Sequence, residues 1–545
     1  MRNGSARLFR VALAASLSIS ALLYFAWSWR WPLVGDASLI HYIGWLIERG
    51  WAPYRQLGDM NMPGSYLIEI AAMHVFGMGD LAWRLFDFAL MGAAAVAFFV
   101  ITRRAGAPSM TVSSSWVGSD NGWLAGLFAA CLFILVHGRD GLAEGGQRDL
   151  TMAVCLVVAT AFQFVAIRRD WQWAAAAFGL FSGVALTIKP TALPLTAAQL
   201  LLAVHVLRGR GRQGESPNRG WLRPTVAAIL GYLVAPGIAL VFLLRERALA
   251  AFFDNLHGLV LYYSGLGHRP LGFLLLHSVS PLLPLVLLWL AVLALRRARP
   301  SMNGERAELD WERVALGCGA FFGLASYLVQ ARGFPYYRYT LLAFLLPLMA
   351  MDFTRALQAQ ISALRRTKAA RWLALAALGF GGLVLAPQSA VLVHRYRWWE
   401  TDFITSLEQS LDALGGQRLS GHIQCIDSIS GCGNVLYRMR LEPTDGLLVD
   451  FPLFGADDVS FVQQTRERFF AAMNASPPQV LVVSSALYVD GPGDYRKLDR
   501  WPAFQSFLAD DYTLETEWRP SRTARWWSRE ETPASYRIYV LRARH

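Results

Sequence analysis

Long apolar runs fill the first 390 residues and alternate with short polar or basic segments. A helix needs roughly 20 mostly apolar residues to cross a bilayer, so we predict about eleven transmembrane helices. The first run ends in Trp27 without a clear small-residue cleavage site before it, which favours an uncleaved span over a signal peptide. The predicted spans are residues 10–30, 81–102, 123–137, 149–167, 172–188, 191–207, 224–244, 271–295, 312–331, 338–354 and 371–387.

The pattern changes after residue 390, where apolar positions recur at helical or alternating spacing. Helical periodicity predicts helices over 398–414, 457–473 and 502–512, and the continuous apolar stretch 479–485 predicts a strand buried on both faces. "TLETEW" and "YRIYVLRA" alternate and predict two more strands. The expected fold is a mainly α polytopic membrane protein, with residues 1–390 as the transmembrane part and 391–545 as a small α/β domain.

Composition and charge agree with this division. The chain is 54% hydrophobic and 17% charged, whereas soluble domains average about 25% charged residues. The net charge of +12 does not indicate nucleic-acid binding, because the basic clusters follow alternate spans. The positive-inside rule then places the N-terminus on the cytoplasmic side of the membrane, which we expect to be a bacterial inner membrane. An odd number of spans places the tail in the periplasm.

The five cysteines fit the same topology. Cys131, Cys155 and Cys318 lie in spans and are expected to be core residues. Cys425 and Cys432 lie in the tail, where an oxidising compartment favours a disulfide over two free thiols.

The first predicted outer loop, residues 31–80, is too long for a simple connector. From Ser38 its apolar positions predict an amphipathic helix on the membrane surface, and a second helix follows over roughly 64–76. Asp36 precedes the first helix, where it either caps the helix or acts as a base at the membrane boundary. Asp59 and Asn61 are further polar candidates for binding substrate.

A charged outer turn, "HGRDGLAEGGQRDLTM", precedes the fourth span. It is either a solvated, charge-balanced turn or a site that places Asp149 beside Asp36 as an acid pair, with Arg148 next to it. Two acids can tune a base or bind a divalent cation such as Mg²⁺ or Mn²⁺. No other cofactor is expected, because the chain contains no nucleotide-binding motif.

Cations collect on the same predicted side of the membrane. Lys189 stands alone between two spans, where it either reaches the headgroups or binds phosphate. Later outer loops add Arg269, Arg332, Tyr337 and Arg338. Converging cations at an outer leaflet suit a phosphate or pyrophosphate headgroup.

The order of several stretches resembles the GT-C superfamily of integral-membrane glycosyltransferases, in particular bacterial relatives of the protein O-mannosyltransferases and the lipid A aminoarabinose transferase. The stretches are "GDASLIHYIGWLIERGWAPYRQ", "DMNMPGSYLIEIAAMHVFG", "AWRL", "GQRDLTM" and "GVALTIKPTA". The resemblance covers about residues 20–390. It implies a catalytic acid at Asp36, a second acid at Asp149 or less surely Asp140, and a cation at Lys189 that contacts polyprenyl phosphate. The chain departs from the pattern with "GD" where many relatives have "DE".

These observations predict an inverting, polyprenyl-phosphate-sugar-dependent glycosyltransferase, a hexosyl- or pentosyltransferase, whose acceptor is a glycolipid, polysaccharide or protein. The alternatives are a lipid-linked sugar transporter or flippase, a polysaccharide ligase of the envelope, and a non-catalytic envelope partner. A transporter predicts charged residues in the middle of spans and paired half-chain repeats, and the sequence indicates neither.

Overall fold

The computed structural model describes residues 2–103, 119–212, 220–297, 310–358, 365–395, 400–488, 491–493, 495–520 and 534–543. Arg104 and Arg299, which belong to two of the basic clusters, lie outside these residues. Within them the chain is mostly helical, as the long apolar runs predict.

Seventeen helices precede the tail in the described part of the chain. They are α1 (Arg2–Ser28), α2 (Gly35–Glu48), α3 (Pro63–Phe76), α4 (Asp80–Thr102), α5 (Ser119–Asp140), α6 (Arg148–Arg169), α7 (Gln172–Ile188), α8 (Leu193–Arg212), α9 (Leu222–Arg245), α10 (Leu249–Asn255), α11 (Leu261–Ser264), α12 (Leu271–Ser278), α13 (Leu283–Arg297), α14 (Trp311–Gln330), α15 (Tyr339–Gln358), α16 (Arg365–Gly379) and α17 (Ala386–Arg395).

Among the described residues, nine helical segments are long and apolar enough to cross a membrane. A tenth span is formed if α12 and α13 count as one, since they are bent by 81° at a short break. The predicted fifth span corresponds to α7, which is apolar but shorter than the others. Ten of the eleven predicted spans therefore coincide with one continuous helical segment each, whereas the predicted span 271–295 coincides with the bent pair α12 and α13. The chain is a multi-pass membrane protein. The predicted orientation of its termini stays a prediction.

The chain divides into two compact units that do not follow the predicted boundary at residue 390. Unit 1 comprises Met1–Arg30, Leu85–Ile238 and His268–Arg395. Unit 2 comprises Trp31–Arg84, Ala239–Gly267 and Tyr396–His545. The expected α/β tail is thus only part of unit 2, because the first long loop and the segment around α10 and α11 pack with it.

Unit 1 contains an antiparallel pair of helices that matters for the site. Asp170 adopts a left-handed conformation (φ 54°) and ends α6, and α7 begins only two residues later at Gln172. Two helices joined by so short a link run antiparallel and pack side by side. The first turn of α6 therefore lies near the last turn of α7.

Small residues allow α7 to approach α9 closely. A Cβ added to Gly179 would stand 1.9 Å from the carbonyl oxygen of Ala228, and one added to Gly183 would stand 2.3 Å from that of Tyr232. Helices in membranes commonly pack through small residues, which let the backbones meet. The position of α7, which precedes Lys189, depends on this contact.

Unit 2 contains the tail helices α18 (Glu400–Ala413), α19 (Cys432–Met439), α20 (Ser460–Ala475) and α21 (Pro502–Asp511). Its strands are β1 (Ile423–Ile426), β2 (Val480–Ser484), β3 (Ala486–Leu487), β4 (Gly491–Pro492), β5 (Tyr512–Trp518) and β6 (Tyr536–Leu541). The main sheet has the order β1-β2-β6-β5, in which β1 pairs parallel to β2 and the other neighbours are antiparallel. Strand β2 is buried along its whole length, as the continuous apolar run predicts.

The disulfide favoured from the sequence is present between Cys425 and Cys432, whose Cα atoms are 6.1 Å apart. It joins β1 to the first residue of α19. Neither element is predicted from the sequence, because each is short and carries little periodic signal. Cys131 and Cys155 are buried free thiols, as expected for core residues, whereas Cys318 is only half-buried.

The first helix of the long loop differs from its prediction. Helix α2 begins at Gly35 rather than near Ser38, and its residues Ala37, Ser38 and Ile40 to Ile47 are buried. A helix buried on nearly every face is not an amphipathic helix lying on a membrane surface. It packs within unit 2, where the hydroxyl of Tyr42 donates a 2.8 Å hydrogen bond to the carbonyl of Leu441.

Candidate functional site

A buried ion pair joins the two predicted site residues of the α6–α7 pair. The Nζ of Lys189 lies 2.8 Å and 3.0 Å from the two carboxylate oxygens of Asp149. Asp149 stands in the first turn of α6, and Lys189 directly follows α7. The short link between these helices brings the two residues together although forty positions separate them. Lys189 is therefore not the isolated cation that the sequence suggests.

Further groups of unit 1 surround this pair. Lys189 also donates to Oε1 of Gln330, and its ammonium stands 4.3 Å from the ring centre of Tyr337. Arg332 donates a 3.3 Å hydrogen bond to the hydroxyl of that tyrosine. The Nε of Arg148 lies 3.8 Å from Asp149. We call Arg148, Asp149, Lys189, Gln330, Arg332 and Tyr337 the cationic cluster, because it holds three cations and one carboxylate.

The surroundings of Lys189 lower its pKa. Burial lowers the pKa of Lys189 from its ordinary value to about 8, with the positive charges of Arg148 and Arg332 acting in the same direction. The negative charge of Asp149 acts against this and raises the pKa. Lys189 lies outside the spanning helices, between Ile188 and Pro190. An anion arriving beside it would favour the charged ammonium.

Arg338 has different partners from the neighbouring cations. Its Nη2 donates to both carboxylate oxygens of Asp140 at 2.6 Å, and its Nη1 donates to the backbone carbonyls of His277 and Ser280. The side chain is 7% exposed. Through these hydrogen bonds Arg338 connects the end of α5 to the bend after α12.

Arg269 is placed beside the cluster by its backbone. Its N–H donates a 2.6 Å hydrogen bond to the carbonyl of Ala331, the residue before Arg332. Its side chain is exposed and stands 5.8 Å from the ring centre of Phe273. The structure thus brings together five of the predicted residues, Arg148, Asp149, Lys189, Arg332 and Tyr337. The backbone of Arg269 is hydrogen-bonded to Ala331, the residue that precedes Arg332.

Asp36 lies in unit 2, in the first turn of α2. The N-cap of the helix is Val34, and no side chain caps it, so the capping interpretation of Asp36 is not supported. Asp36 is exposed while the helix beyond it is buried. A carboxylate in the first turn is favoured by the helix dipole and is accessible to a substrate. The predicted acid pair of Asp36 with Asp149 stays a prediction, because the two residues belong to different units.

Asp59 and Asn61 form a second, buried polar group in unit 2. Oδ2 of Asp59 accepts hydrogen bonds from the Asn61 side-chain amide and, at 2.7 Å, from the hydroxyl of Tyr66. Oδ1 of Asp59 and Oδ1 of Asn61 are buried without a hydrogen-bond partner. Asn255 of α10 fixes the segment by donating to the backbone carbonyl of Asp59 at 2.7 Å. Buried orphaned acceptors of this kind are expected where a donor from a ligand or water completes the group.

The expected divalent cation finds little support at Asp149. Both oxygens of this carboxylate already accept from Lys189, so a metal ion would have to displace an ammonium. No group of three or more histidine, cysteine or acidic side chains suited to a metal occurs among residues that the structure describes.

Sequence reasoning missed two buried carboxylates inside spans. Asp87 lies in α4 and contacts His137, and Asp352 lies in α15 and contacts Arg313 at 3.0 Å. The inference that spans carry no internal charge is therefore corrected. A single acid within an apolar run was the available signal, since such residues are costly in a membrane unless they are paired.

The fold of the described residues is similar to that of two solved structures of ArnT. A structure search matches ArnT from Cupriavidus metallidurans in its apo state with a TM-score of 0.55 and 14% identity, covering 98% of both chains. ArnT bound to undecaprenyl phosphate matches with a TM-score of 0.53 and 13% identity, over 99% of this chain and 98% of the other. At this identity the likeness establishes the fold alone.

A weaker match supports no argument. The apo oligosaccharyltransferase from Archaeoglobus fulgidus aligns with a TM-score of 0.46 and 13% identity, over 86% of this chain and 69% of the other. No protein-family model and no curated protein matches the chain.

Proposed function

We propose that the chain is an inverting glycosyltransferase that moves a sugar from a polyprenyl-phosphate donor to an acceptor at the outer face of a bacterial inner membrane. The transferred group is a hexose or pentose, and the acceptor is a glycolipid, polysaccharide or protein. In this proposal the N-terminus is cytoplasmic and the tail domain is periplasmic.

The cationic cluster is the observation that carries the proposal. Three cations, Lys189, Arg148 and Arg332, act on one another at this site, and Asp149 is the carboxylate beside Lys189. Such a site favours a phosphate, because charge-assisted hydrogen bonds to phosphate are strong. The fold supports the same donor class, since the similar ArnT was solved with undecaprenyl phosphate.

The reaction assigns separate roles to the two predicted acids. Asp36 accepts the proton of the acceptor hydroxyl as the hydroxyl oxygen forms a bond to the anomeric carbon from the face opposite the phosphate. The bond between that carbon and the phosphate oxygen breaks, and polyprenyl phosphate leaves. Lys189 and Arg332 stabilise the charge that grows on the leaving oxygen. Asp149 holds Lys189 in place, and Arg338 serves the scaffold through Asp140.

The test begins in a strain from which the gene has been deleted. Mass spectrometry of its glycolipids and glycoproteins identifies the product that is lost, and plasmids carrying the wild type or variants are then compared. Asp36→Asn preserves the size of the side chain but removes the base. We expect it to lower the initial rate of product formation by a factor of about 10²–10⁴, the usual contribution of a general base.

Glu48→Gln is the matched control, because Glu48 is an exposed acid at the other end of the same helix. It should restore product as well as the wild type. Near-normal product with both Asp36→Asn and Asp36→Ala would remove Asp36 from the mechanism. Accumulation of a lipid-linked sugar on the cytoplasmic leaflet of the deletion strain would favour a flippase instead, and loss of a preassembled polysaccharide from its acceptor would favour a ligase.

A further inference from the structure

A buried polar network in unit 1 has no role in the proposed reaction. It joins Asp87 of α4, His137 of α5 and Tyr339 of α15, all of which are fully buried in unit 1. The Nδ1 of His137 lies 2.7 Å from the hydroxyl of Tyr339, and its Nε2 lies 3.3 Å from Oδ2 of Asp87. Burying polar side chains inside a membrane protein is costly, and such residues are usually paired and functional.

Oδ1 of Asp87, the other carboxylate oxygen, accepts a hydrogen bond from the backbone of a loop. The N–H of Gly146 donates a 2.7 Å hydrogen bond to Oδ1 of Asp87. Gly146 has a left-handed backbone conformation, φ 58°, which a glycine adopts without strain. This bond fixes the loop two residues before Arg148 and three before Asp149.

Oδ2 of Asp87 contacts His137, which precedes the same loop in the chain. His137 stands three residues before Asp140, which grips Arg338. Tyr339, the other partner of His137, directly follows Arg338. Asp87 therefore contacts both His137, near the end of the helix that precedes the segment from Gly141 to Gln147, and Gly146 within that segment.

We propose that Asp87 is a positioning residue for the cationic cluster: it holds the Gly141–Gln147 loop so that Asp149 meets Lys189. This inference rests on the proposed function, since it assigns the cluster to donor phosphate binding. When Asp87 is removed, the loop loses its backbone anchor and the first turn of α6 is free to shift. A shift of about 1 Å is enough to impair a preorganised site.

Two measurements on full-length protein in detergent test the proposal. Hydrogen–deuterium exchange of the peptide that covers residues 141–147 reports the anchor directly. Titration with undecaprenyl phosphate, followed by tryptophan fluorescence of the folded fraction, reports the cluster. Asp87→Ala should speed exchange in that peptide and weaken binding about tenfold or more, the range seen when outer supports of ligand groups are removed.

Asp87→Asn distinguishes positioning from general packing. Its amide oxygen can still accept from Gly146, so we expect both exchange and affinity to return close to wild-type values. His137→Ala breaks the other half of the network, and it replaces Asp87→Ala if that variant is not recovered folded.

Thr102→Ala is the matched control, because Thr102 also bridges α4 and α5, at the opposite end. Its hydroxyl reaches the carbonyls of Phe98 at 2.9 Å and Gly122 at 3.0 Å. It should change neither readout. Unchanged exchange or affinity in Asp87→Ala, with a wild type that binds, overturns the inference alone, as does equal weakening by Thr102→Ala. A wild type that does not bind undecaprenyl phosphate overturns the proposed function and with it the role of Asp87 in donor binding.

Discussion

Among the residues that the structure describes, two buried pairs of aspartate and lysine occur, one in each unit, and their surroundings differ. In unit 1 the side chain of Lys189 is 14% exposed and that of its partner Asp149 is 2% exposed. In unit 2 the side chains of Lys497 and Asp450 are each 1% exposed. Lys497 also donates to the backbone carbonyls of Ile426 and Ala486, both at 2.9 Å.

The neighbouring charges separate the two pairs further. Arg148 and Arg332 add positive charge around Lys189, whereas Asp427 adds negative charge around Asp450. Burial raises the pKa of Asp450, and Lys497 beside it acts in the opposite direction. The unit 2 pair is thus enclosed by the protein and has a second carboxylate near it. The unit 1 pair is partly open and has two further cations near it, so burial of an ion pair does not by itself distinguish scaffold from site.

The largest effect that this comparison predicts is on stability. Lys497→Met leaves Asp450 buried without its cation, and breaking a buried pair in this way costs about 3–5 kcal/mol. Thermal unfolding of the full chain in detergent should show a lower midpoint. The double variant Asp450→Asn/Lys497→Met removes both charges and should recover most of the loss. Unaltered stability in Lys497→Met would mean that this pair is not a scaffold element.

A smaller effect, on ligand affinity, is expected at the other pair. Lys189→Met should weaken binding of undecaprenyl phosphate about 10–100-fold, or about 1.4–2.8 kcal/mol, because one of the cations that we propose to bind the phosphate is lost. Its stability cost should be below that of Lys497→Met, since Arg148 remains near Asp149. Lys497→Met, measured on its folded fraction, is the control and should bind normally. If the two lysine variants changed places in these assays, the comparison would be reversed.

The pH dependence gives the smallest predicted change. With a pKa of about 8, Lys189 is mostly protonated at pH 7 and mostly neutral at pH 9. The protonated fraction of Lys189 falls about tenfold across this interval, which corresponds to about 1.4 kcal/mol. Binding of undecaprenyl phosphate should therefore weaken by up to about tenfold as the pH rises. Lys189→Arg keeps its charge throughout and should flatten the profile. A wild-type profile as flat as that of Lys189→Arg would exclude titration of Lys189 as the cause.

The membrane part of the fold could be predicted because span length is a local property. An apolar run of sufficient length becomes helical in a bilayer whatever its neighbours are, and all but one of the predicted spans coincide with one continuous helical segment. The exception, 271–295, is divided by the bend between α12 and α13. The Asp149–Lys189 pair was within reach of the same reasoning: two apolar helices joined by Asp170 and Trp171 must run antiparallel.

The sequence by itself thus determined the helices of the membrane part, the buried strand β2, and the residue types that collect around Lys189. Only the tertiary structure decided the partners. His137 meets Asp87 across fifty positions and Tyr339 across 202, and α2 is buried because the long loop packs with the tail in unit 2. Contacts between residues so far apart depend on how helices are arranged around each other, and hydrophobic periodicity records which face of a helix is apolar but not what that face meets.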